Sequence, residues 1–312
     1  MIYKSLPTVL KVNSISKNFL KINAVNNIAF TIGKGDIFAF LGPNGAGKTT
    51  TLRIILNIIK SDSGHIEWNL DGKPGPVPEA ELIGYLPEER GLYADIPILK
   101  SLVYLATIRG MDPVTAKKEA VNWLERLGLA DRAKEKLQVL SKGNQQKIQF
   151  IASILHKPVF AILDEPFSGL DPLNQERFIE FIREINDQGT TILLSAHQMA
   201  LVEKLAGKIF LINNGEKLYY GSLSGIYTEF GKKHIIELKM EMMINESTFQ
   251  NLSGIEQVDL LDDHRVKLTF GQETGINGVL SDLSKIPGIN DLTSRKPDLH
   301  EIFLQLVNSH KP

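Results

Sequence analysis

The sequence predicts an α/β fold, and three observations carry that prediction. Short apolar runs alternate with helix-period stretches over roughly the first 230 residues, the pattern of a parallel sheet with crossover helices. Two of the runs, Val159–Leu163 and Thr191–Leu194, are almost wholly apolar, as expected for strands covered on both faces. A glycine-rich segment, Gly42 to Thr49, joins one strand to the helix after it, and a helix N-terminus reached through glycines favours an anion.

In chain order, Val9–Val12, Ile28–Ile32 and Ile37–Leu41 are predicted strands. Thr49–Ile59 is a predicted helix, because Leu52, Ile55, Leu56 and Ile59 share one face. Ser61–Gly64 reads as a turn. Residues 98–155 read as mostly helical, with Asp112-Pro113 opening an amphipathic stretch that carries Val121, Leu124, Leu127 and Leu129. Pro172 opens another helix with Phe178, Phe181, Ile182 and Ile185 on its face. Asn214-Gly215 sits between the apolar runs of Lys208–Gly221, which is a hairpin signal and closes the first domain. From about His234 the pattern changes. Ile235–Met240, Val258–Leu261 and Val266–Phe270 read as strands, and Ser247–Leu252, Gly278–Ile286 and Asp298–Leu306 as helices. That order resembles a split β-α-β-β-α-β unit, possible for a small α+β domain of the ferredoxin-like kind.

Composition bounds the function. At roughly 150 residues per domain, 312 residues suggest two domains. Lys plus Arg is 35 and Asp plus Glu is 36, a net charge of −1, so no nucleic-acid partner is expected. The absence of cysteine excludes disulfides, thiolate metal sites and cysteine nucleophiles. No apolar run exceeds five residues, far short of the roughly 20 that span a bilayer. The N-terminus MIYKSLPTVLKV has no long apolar stretch, so no signal peptide is read. These features predict an intracellular, cytoplasmic protein.

Gly42-Pro43-Asn44-Gly45-Ala46-Gly47-Lys48-Thr49 fits G-x-x-x-x-G-K-[ST] between a strand and a helix, and Thr50 follows. Glycines let backbone N–H groups turn around phosphate oxygens. Lys48 is placed to reach the β- and γ-phosphates, and the Thr49 hydroxyl to ligate Mg²⁺. The motif alone predicts binding of a nucleoside triphosphate.

Further segments carry a family resemblance. Leu140-Ser141-Lys142-Gly143-Asn144-Gln145-Gln146-Lys147 resembles the signature loop of ABC-type ATPases. Val159 to Pro166 resembles their Walker B strand, Ser168-Gly169-Leu170-Asp171 their D-loop, and Leu194-Ser195-Ala196-His197 their switch histidine. Ile83 to Glu89 stands at the Q-loop, and Phe19 where an adenine-stacking aromatic would be, with a core aromatic as its alternative. The resemblance covers roughly residues 5–230. It implies a P-loop ABC ATPase domain with a parallel-sheet core, an antiparallel β subdomain and a helical subdomain. The resulting division is 1–230 for the nucleotide-binding domain and 231–312 for the small accessory domain.

The resemblance also implies roles. Asp164 holds Mg²⁺ through water and Glu165 polarises the attacking water. His197 positions that water at the γ-phosphate. Ser141, Gly143 and Asn144 meet the ATP of a second copy, so ATP closes a homodimer and hydrolysis opens it. Three positions depart from the common pattern: Lys142 for glycine, Asn144 for glutamine, and Glu88 for the Q-loop glutamine, where a carboxylate still offers an oxygen to Mg²⁺. The segments Leu86–Tyr93 and Leu140–Lys147 further resemble ATP-binding subunits of sodium or multidrug exporters. That implies an ATPase peripheral to the cytoplasmic face of the cell membrane, driving a permease from a separate chain. Leu92, Tyr93, Ile96 and Pro97 are candidates for the groove that receives it, against core packing of the helical subdomain. A soluble ABC-type ATPase acting on DNA or ribosomes is the alternative, disfavoured because no long coiled-coil insertion or second ATPase domain is present. A non-enzymatic ATP-gated module would need a damaged Walker B, and Glu165 is in place.

Overall fold

The computed structural model describes residues 7–89, 91–244, 247–250, 252–271 and 275–309. Among these the chain forms two compact units, dividing between Ser222 and Leu223.

The first unit is built from two sheets. Strands β1 (Thr8–Phe19) and β2 (Ile22–Gly33) form a long antiparallel hairpin. After β3 (Ile37–Leu41) and helix α1 (Lys48–Ile55), β4 (Ser63–Leu70) and the short β5 (Lys73–Gly75) complete an antiparallel sheet ordered β2-β1-β4-β5. The second sheet uses β6 (Ile83–Leu86), β7 (Phe160–Asp164), β8 (Thr191–Ala196), β9 (Lys208–Asn213) and β10 (Glu216–Ser222), in the order β10-β9-β3-β8-β7-β6. Its pairs from β9 through β6 are parallel, and β10 closes the edge antiparallel.

Every residue of β7 and β8 is buried, which explains their unbroken apolar character. One core cluster draws on both sheets. Phe40 stacks on Phe210 at 4.8 Å, Phe30 on Phe38 at 5.1 Å, and Trp68 meets Phe160 edge-on at 5.0 Å. Between β6 and β7 lie α2 (Ile98–Thr107), α3 (Pro113–Arg126) and α4 (Lys142–Ile154); α5 (Pro172–Asp187) precedes β8 and α6 (Met199–Glu203) follows it. Asp112 and Asp171 cap α3 and α5 by accepting from Thr115 N and Asn174 N, each helix with Pro in its first turn. Trp123, Phe150, Phe178 and Phe181 knit α3, α4 and α5 together, with Arg126 over the Trp123 ring at 4.2 Å.

Helix α1 ends at Ile55, four residues short of the sequence expectation. Asn57 takes a φ of +57°, and the N–H groups of Ile58 and Ile59 fold back onto the Arg53 carbonyl. Asparagine tolerates that left-handed geometry and stops the helix. Strands β4, β5 and β6 add elements absent from the sequence prediction.

The second unit contains α7 (Leu223–Phe230), β11 (His234–Met240), α8 (Ser247–Gln250), β12 (Ile255–Asp262), β13 (Arg265–Phe270), α9 (Ile276–Leu283), β14 (Ile289–Arg295) and α10 (Leu299–Ser309). Its four strands are antiparallel throughout, ordered β12-β13-β11-β14. Ile236, Leu238, Val266, Leu268 and Phe270 bury one sheet face with Phe249, Val279 and Leu283. Helix α10 opens with a reciprocal cap: Glu301 N donates to Asp298 Oδ1 at 2.8 Å, and Asp298 N to Glu301 Oε2 at 3.0 Å. Among the described residues no helix is long and apolar enough to cross a membrane.

Candidate functional site

The glycine-rich segment lies between β3 and the N-terminus of α1. Gly45 and Gly47 take φ of +80° and +102°, a region closed to most side chains. Gly47 is the N-cap of α1 and has no side-chain cap, so N–H groups at that helix end are left for a ligand. A Cβ at Gly47 would lie 2.2 Å from the Ala24 carbonyl oxygen, and one at Gly42 2.3 Å from that of Ile212. The segment is thus held against β2 and β9 too closely for a side chain at either position. Gly215 N donates to Ala46 O at 3.0 Å, so the β9–β10 turn braces it as well.

A cleft of about 430 Å³ opens over the segment. Asn44, Gly45, Gly47, Lys48, Thr49, Thr50, Glu88 and Glu165 line it. Gly42, Pro43 and Ala46 complete the segment without lining the cleft. Ile22, Asn23, Ala24 and Asn214 also line it; the first three begin β2 and Asn214 is in the β9–β10 turn, and sequence reasoning assigned none of them a part in the site. Phe19 is 43 % exposed and pairs across the hairpin with Ile22. Ile22, not Phe19, reaches the cleft wall, and it is 69 % exposed.

Lys48 is only 6 % exposed. Its Nζ donates to Gly42 O at 2.8 Å and Pro43 O at 3.2 Å and lies 3.4 Å from Glu165 Oε1. That approach to Oε1 is an ion pair without hydrogen-bond geometry, and Oε1 has no hydrogen-bond partner. Glu165 follows β7 with a φ of +50°, which costs a non-glycine residue about 1–2 kcal/mol. The conformation is held by Glu165 N, which donates to Ser195 O at 3.1 Å, and by Gln146 Nε2, which donates to Glu165 O at 3.3 Å. It turns the carboxylate back toward Lys48. His197 Nδ1 is 2.8 Å from Glu165 Oε2. An ionised carboxylate only accepts, so Nδ1 carries the proton when Glu165 is charged.

Asp164 ends β7 fully buried. Ser195 Oγ donates to its Oδ1, while Oδ2 has no partner. Burial holds the Asp164 carboxyl above its ordinary value, opposed by the hydrogen bond from Ser195 and reinforced by the negative charges of Glu88 and Glu165. Thr49 Oγ1 donates to Glu88 Oε2 at 3.3 Å. Sequence reasoning gave Ser195 and Gln146 no role, although a serine at a buried strand end beside an aspartate is a readable signal.

Ser141, Gly143 and Asn144 are not among the cleft's lining residues. Ser141 caps α4, accepting from Asn144 N at 3.4 Å. Ser141 and Lys142 are exposed. A Cβ at Gly143 would lie 2.8 Å from Gly169 O, so the predicted signature and D-loops pack together. Of the four predicted groove residues, Tyr93 is exposed and Leu92, Ile96 and Pro97 are half-buried. An apolar groove of about 510 Å³ uses only Pro97 of these, with Leu99, Val103 and Tyr104 of α2. Arg90, within the Leu86–Tyr93 segment, lies outside the described residues.

The ABC transporter family model matches residues 25–168. The ABC transporter ATP-binding protein YhaQ of Bacillus subtilis is 38 % identical over 302 residues, covering 96 % of this chain and 99 % of that one. The chain belongs to the ATP-binding proteins of ABC transporters. The family's members are ATPases. The linearmycin resistance ATP-binding protein LnrL of Bacillus subtilis is 30 % identical over 307 residues, 96 % of this chain and 98 % of that one. A solved ATP-binding subunit of an ABC transporter superposes with a TM-score of 0.66 at 30 % identity, covering 72 % of this chain and 94 % of that one. Both relatives extend over the second unit, whereas the solved structure covers only part of this chain.

Proposed function

We propose that the chain hydrolyses ATP at this cleft to drive export through a separate membrane permease at the cytoplasmic face of the cell membrane. The observation that carries the reading is the Glu165 carboxylate, 7 % exposed and held between Lys48 and His197 at the edge of the glycine cradle. Backbone N–H groups of residues 44–50 hold the phosphates, and Lys48 exchanges its contacts with Gly42 O and Pro43 O for the β- and γ-phosphates. Glu165 takes a proton from the attacking water, and His197 holds the Glu165 carboxylate and the water in place. The bond from the γ-phosphorus to its bridging oxygen breaks as the new P–O bond forms. Phe19, exposed beside the cleft-lining Ile22 that it pairs with, is the aromatic offered to the adenine.

The donors present fit a magnesium ion. Asp164 Oδ2 is buried without a partner, and Thr49 Oγ1 and Glu88 Oε2 lie beside each other on the cleft side. When bound, Mg²⁺ neutralises charge on the phosphate oxygens. Thr49, Glu88 and Asp164 are the residues that hold it.

Ser141 caps α4, Gly143 and Asn144 lie in its first turn, and none of the three lines the chain's own cleft. Their use on ATP therefore calls for a second copy, as a homodimer. The likeness to LnrL, named for linearmycin resistance, supports export of a drug-like substrate. Nothing supports a nucleic-acid partner: the chain has a net charge of −1. The test is phosphate release from MgATP by the purified chain. Turnover that Lys48→Ala abolishes, together with loss of nucleotide binding, is the expected result; no turnover, or normal turnover in Lys48→Ala, refutes the assignment.

A further inference from the structure

Glu165 is gripped on both sides of its Cα. Its N–H donates to Ser195 O at 3.1 Å and to Ser195 Oγ at 3.3 Å. Its carbonyl accepts from Gln146 Nε2 at 3.3 Å, and the same nitrogen donates to Pro166 O at 3.2 Å. Ser195 belongs to β8 and Gln146 to the second turn of α4, so the two grips come from different elements.

A side chain leaves the backbone at Cα, so the dihedrals between those two grips aim the carboxylate. Glu165 sits at a φ of +50°, a region where a non-glycine residue stays only if its surroundings hold it. Ser168 N also donates to Glu165 O, at 3.1 Å. That bond closes the turn from within, so it shapes the segment without fixing its place. Gln146 supplies the hold from outside. An amide nitrogen carries two N–H donors, and two carbonyl oxygens meet this one. Gln146 is 2 % exposed, so water has no path to replace a lost donor.

We propose that Gln146 is a positioning residue for ATP hydrolysis, acting on turnover by locking Glu165 in the left-handed conformation that aims its carboxylate between Lys48 and His197. Gln146 is not among the residues that line the cleft, so its effect on the reaction runs through Glu165. Without the amide, Glu165 relaxes toward negative φ and its carboxylate leaves the position 2.8 Å from His197 Nδ1 and 3.4 Å from Lys48 Nζ. A misplacement of about 1 Å costs on the order of 100-fold in rate. The glycine cradle is untouched, so nucleotide binding is kept. The inference rests on the reading of Glu165 as the base that takes the proton from water.

The test is phosphate release from radiolabelled MgATP by the full chain, in a double-mutant cycle of Gln146→Met with Glu165→Gln. Methionine keeps the length of the side chain and donates no hydrogen bond. The expected result is a kcat lowered by about 10- to 100-fold in Gln146→Met, with KM and the Kd of a fluorescent ATP analogue unchanged. In the Glu165→Gln background the same substitution should cost nothing further. Gln146→Asn, which carries the amide on too short an arm, is a second variant with the same expected pattern, and thermal unfolding followed by tryptophan fluorescence verifies that each chain folds. Equal fold-losses in the two backgrounds overturn the inference, because a merely structural amide would act on both alike. Parent turnover in Gln146→Met, or a loss confined to nucleotide binding, also overturns it. Those three results leave Glu165 as the base. Turnover at the parent rate in Glu165→Gln alone removes Glu165 as the base, and the inference falls with that reading.

Discussion

Replacing Gly47 by alanine tests the cradle at its tightest point, and Gly45 is the built-in control. Both residues take positive φ, +102° and +80°. Each substitution therefore forces an L-residue into left-handed backbone, at about 1–2 kcal/mol. The surroundings separate them. A Cβ at Gly45 meets nothing within 4 Å, whereas at Gly47 it falls 2.2 Å from the Ala24 carbonyl oxygen. Backbone must shift by about 1 Å to relieve that overlap, adding about 1–3 kcal/mol of overpacking. The expected losses are thus about 1.5 kcal/mol for Gly45→Ala and about 3.5 kcal/mol for Gly47→Ala. At 2–4 °C per kcal/mol for a unit of this size, that is a fall in Tm of roughly 3–6 °C against 7–14 °C. Both tryptophans, Trp68 and Trp123, lie in the first unit, so thermal unfolding followed by their fluorescence reports that unit alone. The shift at Gly47 also displaces Ala24, which packs against it and lines the cleft, so a fluorescent ATP analogue should bind more weakly to Gly47→Ala than to Gly45→Ala. A Gly47→Ala chain that melts at or above Gly45→Ala and binds the analogue normally would refute the packing argument.

Two further outcomes are expected. Phe19→Ala should weaken binding of a fluorescent ATP analogue by about 5- to 100-fold, the value of one base stacked on an aromatic ring. An unchanged Kd would move the adenine contact to its partner Ile22. In the second unit, burial works to raise the Glu301 carboxyl, but hydrogen bonds from Arg295 and Asp298 N outweigh it and hold it below the ordinary glutamate value. A depressed folded-state value gives stability that is present above about pH 4.5 and lost as pH falls below it. The group is partly exposed, so the loss is about 1 kcal/mol after screening. Protection of the α10 amides, taken as exchange relative to the intrinsic rate at each pH, should fall below that pH in the parent chain and become less pH-dependent in Glu301→Gln; identical profiles would contradict the assignment.

What the sequence revealed follows burial and chain contiguity. Strands β3, β7 and β8 were legible because both of their faces are covered, and their residues are nearly all apolar. Strand β4 was not: only Trp68 and Leu70 of its eight residues are buried. Strand β14 was not either, since it is a sheet edge whose residues are mostly exposed and polar. The same division holds for the cleft. Gly42–Thr50 and Asp164-Glu165 are contiguous, and their chemistry is written in their order. Ile22, Asn23 and Ala24 at the start of β2 and Asn214 in the β9–β10 turn also line the cleft, and only tertiary pairing brings them there. The short reach of Ser195 to Asp164 likewise depends on the register of β7 beside β8, which pairs the two residues.

In the proposed mechanism Glu165 draws the proton from water while ATP joins two copies of the chain. Glu165→Gln keeps the side chain's shape between Lys48 and His197 but removes its charge and its basicity. With MgATP the account predicts turnover reduced by about 10²- to 10⁴-fold, and a stable species of twice the chain mass by light scattering that retains unhydrolysed ATP. Turnover near the parent rate, or a chain that stays monomeric with ATP bound, would contradict it.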